Sequence, residues 1–108
     1  MVEYIVSLDS TFGSLSDATR RDILRRVSKA DLSIGQIAKS YNITFAAISK
    51  HLMVLEKAKL IVKYKRGREH IVRLSPQALV EASEYLELYQ RQLGDRLDAL
   101  EVYMHKEV

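Results

Sequence analysis

Two helix-start signals come in quick succession near the middle of the chain. Ser33-Ile34-Gly35-Gln36 has the spacing of a capping box. A serine hydroxyl there takes an orphan amide hydrogen of the first turn, and a glutamine three residues on reaches back to the cap. Thr44 offers a second cap soon after. The spacing predicts a short helix through Ile37, Ala38 and Tyr41, ended by Asn42 in the left-handed conformation. It then predicts a longer helix whose apolar stripe is Ile48, Leu52 and Leu55. Few folds accommodate two helices joined by so tight a turn.

The second of these helices has an unusual outer face. With Ile48 at zero and about 100° per residue, Leu52 and Leu55 fall within about 40° of it. Ala46, Ser49, Lys50, Met53 and Lys57 then point outward together, with no acid before Glu56. Small side chains at the start let a backbone enter a DNA major groove. Ser49 can bond a base edge, Lys50 can reach guanine or phosphate, and Phe45 can meet a thymine methyl. The helix start itself favours a phosphate. These features predict a helix-turn-helix with Thr44, Phe45, Ala46, Ser49, Lys50, His51, Met53 and Lys57 on DNA. His51 lies at the core edge, where packing against a carbonyl and touching a phosphate are equally open readings.

The flanking segments extend the pattern. Residues 2 to 14 predict a helix with Ile5, Leu8 and Phe12 on one side. Asp17 caps a second helix that runs to about residue 29 and buries Ile23, Leu24 and Val27. Arg20 falls on its buried side, where an internal ion pair is expected. Arg21 and Arg25 point outward, within reach of phosphates. Residues 60 to 74 contain strand formers on both sides of Lys65-Arg66-Gly67-Arg68, a hairpin tip with a glycine for positive φ. Lys65, Arg66 and Arg68 crowd positive charge there, which predicts a polyanionic partner.

Ser75-Pro76 opens the last helix, with serine as cap and proline at the first helical position. Leu79, Ala82, Leu86, Tyr89, Leu93, Leu97, Leu100 and Met104 step by three or four from there. That predicts about 25 residues of helix, or about 40 Å. It overhangs any small core and needs a second copy of the chain to cover it. The dimer surface expected is Ile5, Leu8, Leu86, Tyr89, Leu93, Leu97, Leu100 and Met104. Glu81, Glu84, Glu87, Asp95 and Asp98 form an acidic solvent face.

Charge follows the same division. Residues 16–74 carry 14 Lys/Arg and 5 Asp/Glu, residues 75–108 carry 3 and 7, and residues 1–15 carry only Glu3 and Asp9. The segments sum as +9, −4 and −2 to the net +3. A basic middle between acidic ends suits a polyanion-binding unit carried by flanking segments with another task. A single domain over 1–108 is expected, with helix-turn-helix and wing in 16–74 and dimerisation helices in 1–15 and 75–108. The class is mostly α with a β-hairpin wing (α+β).

Other classes find little support. The chain has no cysteine, so thiol catalysis and cysteine zinc sites are excluded. There is no Gly-rich phosphate loop, and Ser49, Lys50 and His51 diverge by about 100° each on a helix, so they form no triad. An enzyme is not expected, nor a cofactor. The start, MVEYIVSLDS, lacks a secretory signal and no run is long enough to span a membrane, so a cytoplasmic protein without membrane contact is expected. The alternative is a winged-helix module that binds protein rather than DNA.

The sequence also resembles the ArsR family of bacterial and archaeal repressors. The matching stretches are LSDATRRDIL (15–24), IGQIAKSYNIT (34–44), AISKHLMVLEKAKLI (47–61), RGREHIVRLSP (66–76) and LGDRLDALEVYM (93–104). The resemblance implies a winged helix-turn-helix, dimeric through its N- and C-terminal helices. It also implies a sequence-specific double-stranded DNA-binding regulator. That regulator would be a repressor acting as a homodimer on an inverted-repeat operator, and it would respond to a small molecule, to a partner protein or only to its own concentration.

The departures concern metals and one turn. Many members carry Leu-Cys-Val-Cys where this chain has Leu32-Ser33-Ile34-Gly35, which cannot hold a soft metal. Asp98, Glu101 and His105 on the last helix offer one imidazole, and a surface pair that binds no metal is the expectation. The non-metal branch is the better match, though Tyr85 and Leu93 stand where it often has tryptophan. Lys59 replaces a usual glycine. In the left-handed conformation it costs about 1 kcal/mol, which a phosphate contact can partly offset.

Overall fold

The computed structural model describes the backbone of residues 2–106 and the side chains of residues 7–105. The order is α1 (Val2–Ser14), α2 (Ala18–Val27), β1 (Leu32–Ser33), α3 (Ile34–Lys39), α4 (Phe45–Lys57), β2 (Ile61–Arg66), β3 (Glu69–Leu74) and α5 (Gln77–Lys106). The three strands form one antiparallel sheet in the order β1-β3-β2. No described helix is long and apolar enough to cross a membrane.

The helix starts follow the caps. Asp17 accepts from the Arg20 backbone N–H, and Thr44 accepts from that of Ala47. Ser33 and Gln36 complete the reciprocal capping box, with bonds of 3.1 and 2.8 Å. The apolar faces then meet in one core. Ile23, Leu24 and Val27 of α2, Ile37 of α3, and Ile48, Leu52 and Leu55 of α4 are buried against Leu60, Ile61 and Val72.

Helix α4 ends in a Schellman turn. Lys59 N–H bonds the Glu56 carbonyl and Leu60 N–H bonds the Leu55 carbonyl, both at 3.0 Å. Lys59 takes φ 60° to allow this. Gly67 has φ 63° and Arg68 does not share it, the pattern of a type II′ hairpin turn.

Several local expectations need correction. Asn42 is not left-handed, because α3 stops earlier, at Lys39, on a right-handed Ser40. The last helix begins at Gln77, with the Pro76 carbonyl accepting from Val80 at 2.9 Å, one residue later than predicted. Ser75 instead bonds the Leu60 carbonyl through its backbone N–H at 2.8 Å. Strand β1 was not foreseen; two residues carry no alternation to read.

Helix α5 has 30 residues, about 45 Å of helix, and it stretches the molecule to 68 × 33 × 21 Å. Its first part packs on α1. Phe12, Tyr85 and Tyr89 stack in sequence there, with centroids 6.1 and 5.2 Å apart. From Leu86 to Met104 its apolar stripe lies open.

Candidate nucleic-acid interface

Helix α4 divides cleanly. Ile48, Leu52 and Leu55 have no exposed surface, while Phe45 is 62% and Met53 50% exposed. Thr44, Ala46, Lys50 and Lys57 are exposed and Ser49 is half-buried. The predicted outward row is therefore on one open face. Ile43, which sequence reasoning passed over, is exposed beside Phe45 and widens its apolar edge. Its position before the Thr44 cap was the available signal.

His51 sits apart from that row. Its Nδ1 lies 3.3 Å from Arg20 Nη1 and 3.8 Å from Asp17 Oδ1. A guanidinium only donates, so Nδ1 accepts and the ring proton belongs on Nε2. His51 is thus held at the core edge by the Arg20 side chain, not by the backbone carbonyl expected of it. Among the described residues, Arg20 does not form the internal ion pair expected of it. It donates to the carbonyls of Ser14 at 2.7 Å and Gly13 at 3.4 Å, closing the end of α1. Free carbonyls at a helix end attract a cation. The backbone N–H of Arg20, aided by the Arg20 guanidinium charge and the backbone N–H of Thr19, holds the Asp17 carboxyl below its usual range.

Arg21 and Arg25 are exposed, but both are engaged locally. Arg21 bonds the Leu15 carbonyl at 2.8 Å and Arg25 pairs with Asp22 at 2.8 Å. Asp22 also accepts from the Tyr41 hydroxyl at 2.6 Å, joining α2 to the turn between α3 and α4. That bond, then Arg25, lowers the Asp22 carboxyl, while burial and Asp22 raise the Tyr41 phenol.

The wing presents Lys65, Arg66 and Arg68 to solvent around the turn. Arg66 pairs across the ladder with Glu69, and Lys65 with His70. Its base is held by a cluster that the sequence did not reveal. Asp31 accepts from Tyr64 at 2.9 Å and from Arg73 at 3.0 and 2.8 Å. Arg73 lies over the Tyr64 ring, 5.0 Å from its centroid. The Arg73 guanidinium, with the Tyr64 hydroxyl, holds the Asp31 carboxyl low.

The surface expected to meet a second copy is mixed. Leu86, Tyr89, Leu93, Leu97, Leu100 and Met104 are all about half exposed or more, Met104 at 63%. Leu8 is only 8% exposed, because α1 buries it within its own chain, so it has little area left to offer. The side chain of Ile5 lies outside the described residues. Glu81 is also misplaced in the acidic solvent face: it is half-buried and accepts from Ser7 at 3.3 Å. Glu101 and His105 face each other at 3.8 Å on the exposed end of α5.

Comparisons with known proteins agree on one lineage. The family described as bacterial regulatory protein, arsR family, matches residues 17–63, from the cap of α2 into β2. The chain is 33% identical over 73 residues, 68% of each chain, to the HTH-type transcriptional regulator Rv2034 of Mycobacterium tuberculosis. It is 36% identical over 61 residues to the transcriptional repressor SdpR of Bacillus subtilis, covering 56% of this chain and 68% of that one. Among solved structures, an ArsR-like transcriptional regulator from Rhodococcus sp. RHA1 shares 33% identity. It superposes with a TM-score of 0.74 over 89% of this chain and 91% of its own. The exposed basic helix, the wing and these relatives lead to one conclusion: the chain is a DNA-binding transcriptional regulator, not an enzyme, and it belongs to the arsR family of bacterial regulatory proteins.

Proposed function

We propose that this protein is a repressor that binds an inverted-repeat operator as a homodimer. Residues 16–74 form the reading unit, and residues 1–15 and 75–108 hold two copies together. Ala46, Ser49 and Lys50, with Phe45 and Met53, meet base edges in the major groove. Thr44 and Lys57 flank them. Lys65, Arg66 and Arg68 grip the backbone beside the groove, which sets register without reading sequence. Two-fold symmetry places the two α4 helices about one DNA turn, ~34 Å, apart.

The observation that carries this reading is the asymmetry of α4. One edge is fully buried and anchored by Ile48, Leu52 and Leu55; the other is open, without acid until Glu56, and edged with exposed Phe45. A helix anchored along one edge, whose Lys50 and Lys57 form no ion pair among the described residues, fits a polyanionic groove. The half-exposed leucines from Leu86 to Leu100 support the second copy. Release from the operator would follow a small molecule, a partner protein or only the protein's own concentration.

Fluorescence anisotropy tests the proposal. A duplex from upstream of the gene and a scrambled duplex are titrated at two salt concentrations. The reading predicts at least ~10³-fold preference for the native duplex and a steep loss of both affinities with salt. Equal binding that ignores salt would favour the protein-binding alternative instead.

A further inference from the structure

Lys59 is the one non-glycine residue with positive φ among the described residues. The position favours glycine, which carries no Cβ to clash. Its side chain lines a cleft of about 500 Å³ at the junction of four elements. Such a volume suits a small organic molecule. The end of α4 and the start of β2 supply Glu56, Lys59 and Lys63 to its lining, α1 supplies Ser7, and α5 supplies Gln77 and Glu81. Ile61 and Ala78, both buried, give the cleft an apolar lining.

The charges are not equally satisfied. Lys63 is paired with Glu56 at 3.6 Å. Glu81 receives only the 3.3 Å bond from Ser7, and among the described residues neither Glu81 nor Lys59 forms an ion pair. Among the described residues, the lining therefore holds an ammonium without an ion-pair partner and a carboxylate with spare acceptor capacity. Two lysines against two glutamates leave the cleft without net charge, which disfavours a dianion or a diamine. The position of Lys59 also separates it from the DNA-facing ends. It lies beyond the last turn of α4, about 20 Å from Thr44, and before the first residue of β2, about 20 Å from the wing tip.

We propose that this cleft binds a small α-amino-acid zwitterion, its carboxylate on Lys59 and its ammonium on Glu81. The ligand would bridge the end of the reading helix and the base of the wing to α1 and α5. It would thereby shift the angle between the DNA-reading unit and the helices that join two copies. A ligand moves such an equilibrium only by its differential affinity for the two arrangements. The binding claim stands alone; its regulatory consequence rests on the operator reading above.

Isothermal titration calorimetry with the proteinogenic L-amino acids, one at a time, tests it on the full chain and on Lys59→Gly and Glu81→Gln. At least one amino acid should bind saturably. Each substitution should weaken it by about tenfold or more, a 1.4 kcal/mol loss. The N-acetyl and amide derivatives of that amino acid should weaken likewise. Lys59→Gly should melt no lower than the parent, so lost binding there cannot be misfolding. No binding by any amino acid, or binding that survives both substitutions, overturns the proposal. Anisotropy on the native duplex with the saturating amino acid then reads the consequence: a shifted Kd is expected, and an unchanged one overturns the regulatory half. A protein that prefers no duplex, yet binds the amino acid, contradicts the operator reading and leaves the cleft assignment standing.

Discussion

Arg20 Nη1 lies 3.3 Å from His51 Nδ1, while Arg20 Nε donates to the Ser14 carbonyl at 2.7 Å. One guanidinium thus ties the recognition helix α4 to the end of α1. The reading surface and the helix expected to touch a second copy are mechanically joined through a side chain that contacts neither DNA nor partner in this account.

Arg20→Ala should therefore destabilise the fold by about 2 kcal/mol. Hydrogen bonds from a charged donor contribute about 1.5–3 kcal/mol, and the loss also leaves carbonyls uncapped. Urea denaturation reads the change. A variant as stable as the parent would show that this joint is not a stabilising contact.

Lys59→Gly should raise stability by about 1 kcal/mol, because glycine enters the left-handed region without the Cβ penalty. Lys59→Ala should give no such gain. Thermal unfolding of the two variants separates backbone strain from loss of the ammonium. Equal effects of the two substitutions would contradict the strain argument.

Asp17, Asp22 and Asp31 all have carboxyls held below their usual range in the folded chain. The native state then binds fewer protons than the unfolded chain near the ordinary carboxylate range. Their stabilisation is present above about pH 4 and is lost as pH falls through the lowered folded values. Stability should decline on acidification below about pH 4. Asp31→Asn should flatten part of that decline, read by urea midpoints across a pH series.

Leu97→Glu should yield a monomer by sedimentation. Leu97 is 56% exposed in one chain, so the change costs the isolated protomer little. Operator affinity should fall toward the non-specific level, by at least ~10³-fold. A monomer that still binds its operator tightly would break the link between the α5 stripe and DNA binding.

What was legible in the sequence is what is local. Asp17, Ser33 and Thr44 announce their helices because a cap acts within one turn. Ile48, Leu52 and Leu55 announce a buried edge because periodicity alone sets it. The left-handed conformation of Lys59 was suggested only through the resemblance, since the family usually has glycine there. Long-range partners were not legible. Tyr64 and Arg73 reach Asp31 from 33 and 42 residues away, and nothing near Asp31 signals them. Arg20 was legible as inward-facing, but its partners are backbone carbonyls, which every residue has. Glu81 went astray for a related reason: how α1 settles on α5 decides its burial. The outward row of α4 was visible from helical angles, and its exposure agrees; which members touch bases is a matter for DNA binding.

The central claim is a division of labour between α4 and the wing. The most direct measurement compares Ser49→Ala, Lys50→Ala and Arg66→Ala on the native and scrambled duplexes by anisotropy. The account predicts that Arg66→Ala weakens both duplexes alike and lowers the salt slope by about 1, the mark of one lost phosphate contact. It predicts that Ser49→Ala and Lys50→Ala erode the preference for the native duplex by about 1–3 kcal/mol each while sparing the scrambled one more. Equal losses on both duplexes for all three variants would contradict it.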